Sequence, residues 1–340
     1  MNTDDTAGPG AERLRRLVDR LPKAELHLHL EGAVPWSLIR SWSPDPLPER
    51  PAWWGRDHRF RAFGDFISVM RPCWKPYLDR LERIEAAAAG IFEGLVAQNV
   101  RYVELSFGLG AYDFPVSEVV AAIQQAGPDG LQVRVIAGIS RDLDPEWMQG
   151  LAREALDTEA LDGIDLHGDE GAGCLEDWAT VYREARERGL VTKAHAGEFG
   201  GPEKVRATVE TLGVRRVEHG IAAAQDAIVI QMLKDTGVAL DVCPWSNVKL
   251  GAVRSLGDHP IPVLHRSGVC VTVGTDDPTA FGQTLSDELV WLGTETGMAE
   301  AEIVQIIKNG FESSAMPEAE QAKWVALVDD GVRNEAQGAE

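Results

Sequence analysis

Histidine and acidic side chains recur at the ends of short apolar segments of this chain. His27 and His29 close the first segment, and both imidazoles face one side because alternate residues of a strand point the same way. His195 stands near the end of a later segment, and Asp276 near the end of the last. Three imidazole nitrogens and one carboxylate oxygen suit zinc with a position left for water. Zinc lowers the pKa of such a water to about 7, so the pattern predicts a metal-activated nucleophile.

The segments that carry these residues have the composition of β-strands, and most are separated by stretches with helical periodicity, such as Leu81, Ile84 and Ala88. Strands alternating with helices imply a parallel sheet, and eight such units imply a closed (β/α)8 barrel, whose function lies at the carboxyl ends of its strands. An open doubly wound sheet is the alternative, but the phosphate motifs GxGxxG and GxxxxGK[ST] do not occur. The predicted strands are residues 24–30, 101–107, 132–139, 163–168, 191–198, 215–220, 238–244 and 269–277.

A long connection separates the first predicted strand from the helix that begins near residue 81. It holds about 50 residues and half of the ten tryptophans of the chain. Long connections at the catalytic face of a barrel commonly form lids or pocket walls, so we expect some of these rings to line a pocket and others to pack a local helical subdomain. The tryptophans concerned are Trp36, Trp42, Trp53, Trp54 and Trp74.

The chain is expected to form a single domain over residues 11–330, because no linker divides it and no repeat is found. Residues 299–329 predict two extra helices that close the barrel. Residues 1–10 and 331–340 are small and polar, and they are predicted to be disordered tails.

Composition limits the partners of this protein. The chain has 340 residues and a formal net charge of −21, which disfavours nucleic acid because phosphates are bound by basic side chains. No apolar run is long enough to span a membrane, and the N-terminus lacks the apolar core of a secretory signal. The four cysteines form no CxxC pair, which predicts reduced thiols in the cytoplasm. A small molecule is therefore the expected partner, and the sequence leaves a homo-oligomer open.

Six motifs, in this order along nearly the whole chain, resemble the adenosine deaminase family, a branch of the amidohydrolase barrel superfamily. HAGE and GTDDP are specific signals for that family, whereas HxH alone is weak. The resemblance implies a (β/α)8 barrel that removes the amino group of a 6-aminopurine through attack of a metal-bound hydroxide on C6. The motifs are LPKAELHLHLEG (21–32), GIDLHGDE (163–170), HAGE (195–198), RVEHG (216–220), CPWSNVKLG (243–251) and GTDDP (274–278).

The resemblance implies one zinc ion per chain. Superfamily members with two metals usually carry a bridging lysine late on the fourth strand, and the corresponding residues here, GIDLHG, contain none. The residues that match the ligands of the family are His27, His29, His195 and Asp276.

The resemblance also implies roles for residues beside the metal. Glu198 matches the acid that protonates N1 of the purine, a role that requires a carboxyl pKa raised by desolvation. His219 and Asp277 match the pair that orients and deprotonates the attacking water. Gly168 matches a backbone group that hydrogen-bonds the purine.

The substrate remains open at its N9 position. Glu31 stands where nucleoside deaminases usually carry an aspartate that meets the ribose 5′-hydroxyl, and this glutamate resembles the adenine deaminase branch. Adenine and adenosine are therefore the leading pair. The alternatives are a modified adenine nucleoside of specialised metabolism and another metal-dependent cyclic amidohydrolase reaction on the same barrel. A catalytically silent binding protein is disfavoured because every expected ligand is present.

The remaining histidines carry weaker signals. His167 precedes the GDE turn, where the family usually has a small residue, so it either lines the pocket or packs in the core. His58, His259 and His265 fall in predicted loops or helices, and we expect them at the surface.

Overall fold

The protein is a barrel of eight parallel strands, and the computed structural model describes residues 8–338. The strands follow one another around the sheet in chain order, each hydrogen-bonded to the next, which confirms the predicted (β/α)8 architecture. The strands are β1 (Lys23–His29), β2 (Val100–Gly108), β3 (Gln132–Ser140), β4 (Gly163–His167), β5 (Val191–Ala196), β6 (Arg216–His219), β7 (Ala239–Val242) and β8 (Val271–Val273).

Closure of the barrel depends on Asp276, which lies just beyond β8. Its backbone N–H donates to the carbonyl of His27 at 2.8 Å, and its own carbonyl accepts from the N–H of His29 at 3.0 Å. These bonds form a parallel bridge between Leu28 and Asp276. The seam between the first and last strands therefore runs through predicted metal ligands.

Helices surround the barrel and bury their apolar sides against it. In α5, for example, Ile84, Ala88, Ile91 and Leu95 are all buried, as expected from their helical spacing. The helices are α1 (Pro9–Arg20), α2 (Leu30–Ala33), α3 (Trp36–Trp42), α4 (Phe63–Trp74), α5 (Leu81–Ala97), α6 (Val116–Gln125), α7 (Pro145–Leu156), α8 (Ala179–Glu187), α9 (Pro202–Leu212), α10 (Ala227–Thr236), α11 (Pro244–Lys249), α12 (Ile261–Arg266), α13 (Pro278–Phe281), α14 (Leu285–Glu295), α15 (Glu300–Glu312) and α16 (Glu318–Gly338).

The long connection after β1 folds as α2, α3, a 3₁₀ turn at Ala52–Trp54 and α4. Trp36 makes edge contacts with the rings of Trp53 and Trp54, and the indole N–H of Trp54 donates to the carbonyl of Thr279 at 2.8 Å. The tryptophans of this segment thus tie it to the loop that follows β8. No helix among residues 8–338 combines the length and apolar character needed to cross a bilayer.

The C-terminal helices differ in extent from the sequence expectation. Two helices are present as predicted, but α16 continues through residues 331–338, where a tail was expected. Asn, Glu, Ala and Gln in this stretch are compatible with helix, and Glu335 forms an ion pair with Arg20 of α1. Helix α1 likewise begins within the predicted N-terminal tail, at Pro9. The rest of both predicted tails, residues 1–7 and 339–340, lies outside the described residues.

Candidate active site

The four predicted metal ligands meet at the carboxyl end of the barrel. Strand β1 places His27 and His29, β5 places His195, and Asp276 follows β8. One donor atom from each of the four lies within 4.8 Å of the others. The Nε2 atoms of His27 and His195 are 3.2 Å apart, and Nε2 of His29 is 3.4 Å from Oδ1 of Asp276. These donor atoms can therefore converge on a single ion.

Hydrogen bonds at the far side of two imidazoles leave their Nε2 atoms free. Nδ1 of His27 lies 2.9 Å from the carbonyl oxygen of Asp241, which can only accept, so this Nδ1 carries the hydrogen. Nδ1 of His195 lies 3.2 Å from Oδ1 of Asp165. A metal-binding histidine commonly donates its other ring N–H to such an acceptor, which fixes the ring orientation.

Two residues of the site have strained backbones. His219 and Asp276 have φ angles of 62° and 60°, in the left-handed region that residues other than glycine rarely adopt. Such a conformation costs on the order of 1–3 kcal/mol, and surrounding contacts must maintain it. The hydroxyl of Ser246 donates to Oδ2 of Asp276 at 2.6 Å, in addition to the backbone bonds at the barrel seam. The strain and the bonds together direct Oδ1 of Asp276 towards the imidazoles.

A layer of buried ion pairs lies below the ligands inside the barrel. Glu218 has Oε1 at 2.8 Å from Nζ of Lys193 and Oε2 at 3.0 Å from Nδ1 of His195. Burial alone would raise the pKa of Glu218, but Lys193 and the neighbouring His27 and His195 together outweigh it, so this pKa lies well below its ordinary value. An ionised Glu218 supports His195 from the side opposite the cavity. The layer is completed by Glu104, Arg216 and Asp241.

Glu198 faces the same site from the loop after β5. Its Oε1 accepts from Nδ2 of Asn247 at 2.8 Å, and its Oε2 is 3.5 Å from Nε2 of His219. Burial, together with the negative charge of Asp276, raises the pKa of Glu198 to about 8. A carboxyl group with this pKa retains its proton at neutral pH, which is the state that a general acid requires.

The carboxylate of Glu170 fixes the loop that carries Glu198. Its oxygens accept from the backbone N–H groups of Gly197 at 2.7 Å, Glu198 at 2.7 Å and Phe199 at 3.0 Å. Hydrogen bonds to an ionised acceptor are stronger than neutral ones, so this side chain determines where the loop lies.

Asp277 and His219 flank the ligands on two further sides. Burial and the neighbouring Asp276 carboxylate raise the pKa of Asp277 well above its usual range. Burial lowers the pKa of His219, which is therefore neutral. Asp277 lies so close to the backbone of Gly32 that a Cβ atom there would stand 1.6 Å from Oδ1 of Asp277, so this position requires glycine.

Glu31 is tied to the second strand. Its Oε1 accepts from the backbone N–H of Gly108 at 2.9 Å and from the hydroxyl of Tyr112 at 2.6 Å. These bonds leave Oε2 available to a ligand, because Glu31 also lines the cavity described below.

A cavity of about 340 Å³ opens above these residues. Gly168 and His167 line it, so that His167 is a wall residue, with its ring 5.8 Å from that of His29. Gly168 has a φ angle of 101°, which only glycine adopts readily. Of the tryptophans in the long connection, Trp74 reaches the cavity. The outer wall is mostly apolar, with Arg71 and Lys75 also lining the cavity; its apolar residues include Phe63, Phe66, Ile67, Met70, Leu109 and Phe199.

Sequence reasoning overlooked three residues that organise the site. Glu170 and Asn247 both lie within motifs quoted above, so the signal was present without a role attached to it. His259 is 4% exposed and contacts Asn247, so the expectation of a surface position was wrong. His58 and His265 are partly exposed.

Known proteins resemble this chain over most of its length. The sequence profile described as adenosine deaminase matches residues 22–331. The adenine deaminase of Rhizobium rhizogenes is 30% identical over 92% of this chain and 100% of its own length. The aminodeoxyfutalosine deaminase of Acidothermus cellulolyticus is 31% identical over 80% of this chain and 82% of its own. The crystal structure of adenine deaminase from Arthrobacter aurescens is 28% identical, with a TM-score of 0.83 over 92% of this chain and 99% of that one.

Proposed function

This chain belongs to the adenosine deaminase family, and we propose that it hydrolyses a 6-aminopurine, of the adenine or adenosine type, to the 6-oxopurine and ammonia. One observation carries the proposal: the four donor side chains converge within 4.8 Å, and the buried Glu198 carboxyl faces the same cavity. A protonated acid beside a metal site is what water addition to an aromatic amidine requires.

The donor set fits one zinc ion per chain. Three imidazole nitrogens and a carboxylate oxygen form a ligand set typical of zinc, and the far-side nitrogens of two of the imidazoles are already engaged. When bound, zinc supplies a Lewis acid that makes water nucleophilic near neutral pH. The residues proposed to hold it are His27, His29, His195 and Asp276.

We assign the proton on N1 to Glu198. Addition of water at C6 breaks the aromaticity of the ring and moves electron density onto N1. Glu198 holds a proton at neutral pH because burial raises its pKa, and it can deliver that proton to N1 as the charge develops. The Gly168 backbone, at the cavity wall, is proposed to hydrogen-bond the purine.

The two protons of the attacking water are assigned to Asp277 and Glu198. His219 orients the attacking water. A zinc ion held by Asp276 would offset the negative charge that helps to raise the pKa of Asp277, so an ionised Asp277 accepts the first proton of that water as its oxygen bonds to C6. Asp277 then gives this proton to the amino group, so the C6–N6 bond breaks and ammonia leaves. The second water proton returns to Glu198, and N1 keeps the proton that it received. The sum is one water consumed and one ammonia released.

The cavity has room for a purine. Glu31 lines it together with apolar residues and with Arg71 and Lys75, which supports a role for Glu31 in selecting the N9 substituent. Volumes of about 300–1,000 Å³ are usual for small-molecule sites.

The test is ammonia release by zinc-loaded enzyme. The panel contains adenine, adenosine, 2′-deoxyadenosine, 5′-modified adenosines including aminodeoxyfutalosine, and N6-substituted purines, with guanine and cytosine as controls; a cyclic amide and a lactone are followed separately by ring opening. We expect turnover of at least one 6-aminopurine and none of the controls. Turnover restricted to a cyclic amide or ester would replace the proposal with another amidohydrolase reaction.

A further inference from the structure

A chain of hydrogen bonds behind the cavity has a direction that can be read from its first member. The backbone N–H of Ile261 lies 3.2 Å from Nδ1 of His259. A backbone amide can only donate, so this Nδ1 carries no hydrogen. His259 is 4% exposed, and burial lowers its pKa to about 3, so the ring is neutral and its hydrogen lies on Nε2.

The next member of the chain is Asn247, whose side chain is fully buried on α11. Nε2 of His259 is 3.2 Å from Oδ1 of Asn247, and since this Nε2 must donate, the carboxamide oxygen faces His259. The opposite end of the carboxamide, its NH₂ group, therefore faces the cavity residues. This orientation follows from the donor at Ile261 and requires no further assumption.

The two hydrogens of that NH₂ group have two partners. Nδ2 of Asn247 is 2.8 Å from Oε1 of Glu198 and 3.1 Å from Nδ1 of His219. Both partner atoms must act as acceptors. In a neutral imidazole whose Nδ1 accepts, the hydrogen lies on Nε2, and Nε2 of His219 is the atom that faces Glu198 and Asp276, at 3.5 Å and 4.0 Å.

We propose that Asn247, oriented by His259, is a positioning residue that determines which atoms of Glu198 and His219 carry a hydrogen. Oε1 of Glu198 accepts, so the acid carries its proton on Oε2. Nε2 of His219 carries a hydrogen, so His219 donates to the oxygen of the attacking water and does not take its proton. Asp277 is then the proton acceptor. This inference rests on the proposed deaminase function for its catalytic consequence, but the hydrogen positions do not depend on turnover.

The direct test is the tautomer of His219 in the zinc-loaded protein. Long-range ¹H–¹⁵N correlation spectra distinguish the two neutral tautomers of an imidazole, and His219→Gln assigns the resonance. We expect the hydrogen on Nε2 in the wild type, without substrate. A hydrogen on Nδ1 would overturn the proposal.

Variants connect the tautomer with catalysis. Asn247→Asp keeps an acceptor for His259 but removes both donors, so we expect kcat to fall by about 10²-fold, the scale of lost acid–base alignment, with zinc content retained. Because a carboxylate at position 247 can only accept, the hydrogen of neutral His219 should move from Nε2 to Nδ1. An unchanged tautomer with wild-type kcat would refute the role of Asn247.

His259 supplies a second, independent pair of variants. His259→Gln offers an amide N–H near the position of Nε2 and should keep the tautomer and most of kcat, whereas His259→Phe removes the donor and should lose both. Equal behaviour of these two variants would overturn the proposal. Asn309→Asp is the matched control, since Asn309 is a buried asparagine on α15 that donates to the carbonyl of Val271 at 2.8 Å. It should lower Tm without moving the His219 resonance.

The outcomes also distinguish failure of the deaminase function from failure of the hydrogen-bond chain. If no 6-aminopurine is deaminated but the Nε2 hydrogen is found and is lost in Asn247→Asp, the proposed function fails and the hydrogen-bond chain stands. If deamination is observed and the tautomer is the other one, the function stands and the chain fails.

Discussion

The side chain of Glu170 holds the backbone of Glu198. Oε1 of Glu170 accepts from the N–H of Glu198 at 2.7 Å, although the two residues belong to loops after different strands. The position of the proposed acid is therefore set by a carboxylate from the loop after β4. This relationship gives the first of five predictions.

Glu170→Gln should lower kcat without removing the metal. Glutamine retains one acceptor, but its NH₂ group would face the donor N–H of Gly197, so the loop must shift. Each charge-assisted bond is worth about 1.5–3 kcal/mol, and we expect a loss of 10- to 100-fold in kcat. The measurement is steady-state kinetics together with zinc analysis. Wild-type kcat in a zinc-replete variant would show that the Glu198 loop is held by other contacts.

His195→Ala should abolish both metal binding and activity. The imidazole supplies one of four donors, and the ion pairs beneath it would lose their partner at Nδ1. Elemental analysis of protein purified without chelator should give close to one zinc per chain in the wild type and little in the variant. Chelator should inactivate the wild type and added zinc restore it. Two ions per chain, or an active metal-free protein, would contradict the single-metal site.

Glu198→Gln should retain zinc and lower kcat by at least about 10²-fold, the usual effect of removing a general acid. Glutamine preserves an acceptor for Nδ2 of Asn247, so the loop should stay in place. Activity and zinc content measured on one preparation separate loss of chemistry from loss of metal. Normal turnover by the zinc-replete variant would remove Glu198 from the mechanism.

The rate should fall on the alkaline side of neutrality. Burial and the charge of Asp276 raise the pKa of Glu198 to about 8, so the carboxyl is protonated and active below this pH and loses its proton as the pH rises through it. We expect kcat/KM to decline by about tenfold per pH unit once Glu198 is ionised. A kcat/KM that keeps rising through pH 9 would be inconsistent with an acid at this position.

Glu31→Asp should change the preference between base and nucleoside. The shorter side chain vacates space beside the apolar wall, so kcat/KM for adenosine should rise five- to tenfold relative to adenine, equivalent to on the order of 1 kcal/mol. Tyr112→Phe is the matched control, because it removes the bond to Oε1 without shortening the acid. The control should affect both substrates equally. An unchanged ratio in Glu31→Asp would limit Glu31 to bracing the loop.

The barrel was predictable because each strand is a short apolar run and each helix has a regular apolar side. The four donor positions were predictable for the same reason, since strand ends of a barrel share one mouth. His259 was misjudged because burial of a loop residue depends on what packs over it, and sequence spacing carries no such information. The continuation of α16 past residue 330 was missed because a polar composition fits an exposed helix as well as a tail.

The roles of Glu170 and Asn247 could not be predicted from the sequence for a related reason. Both bond Glu198 from distant positions in the chain: Glu170 is 28 residues away and Asn247, on α11, is 49 residues away. A motif identifies such residues but does not say which atoms they bond. The fold determines that pairing, and with it the order of donors and acceptors.

The seam at Asp276 has a consequence for how the protein matures. His27 and Asp276 are separated by most of the chain. The backbones of His27, His29 and Asp276 make the hydrogen bonds that close the barrel, and these are three of the four residues whose side chains form the donor set. A nascent chain that has released β1 but not the segment after β8 has two imidazoles in place and no complete site. Contacts between such distant segments form slowly because loop closure must come first. The proposed metal site is therefore complete only when the segment after β8 has been synthesised, and a product truncated before Asp276 lacks one of its four donors.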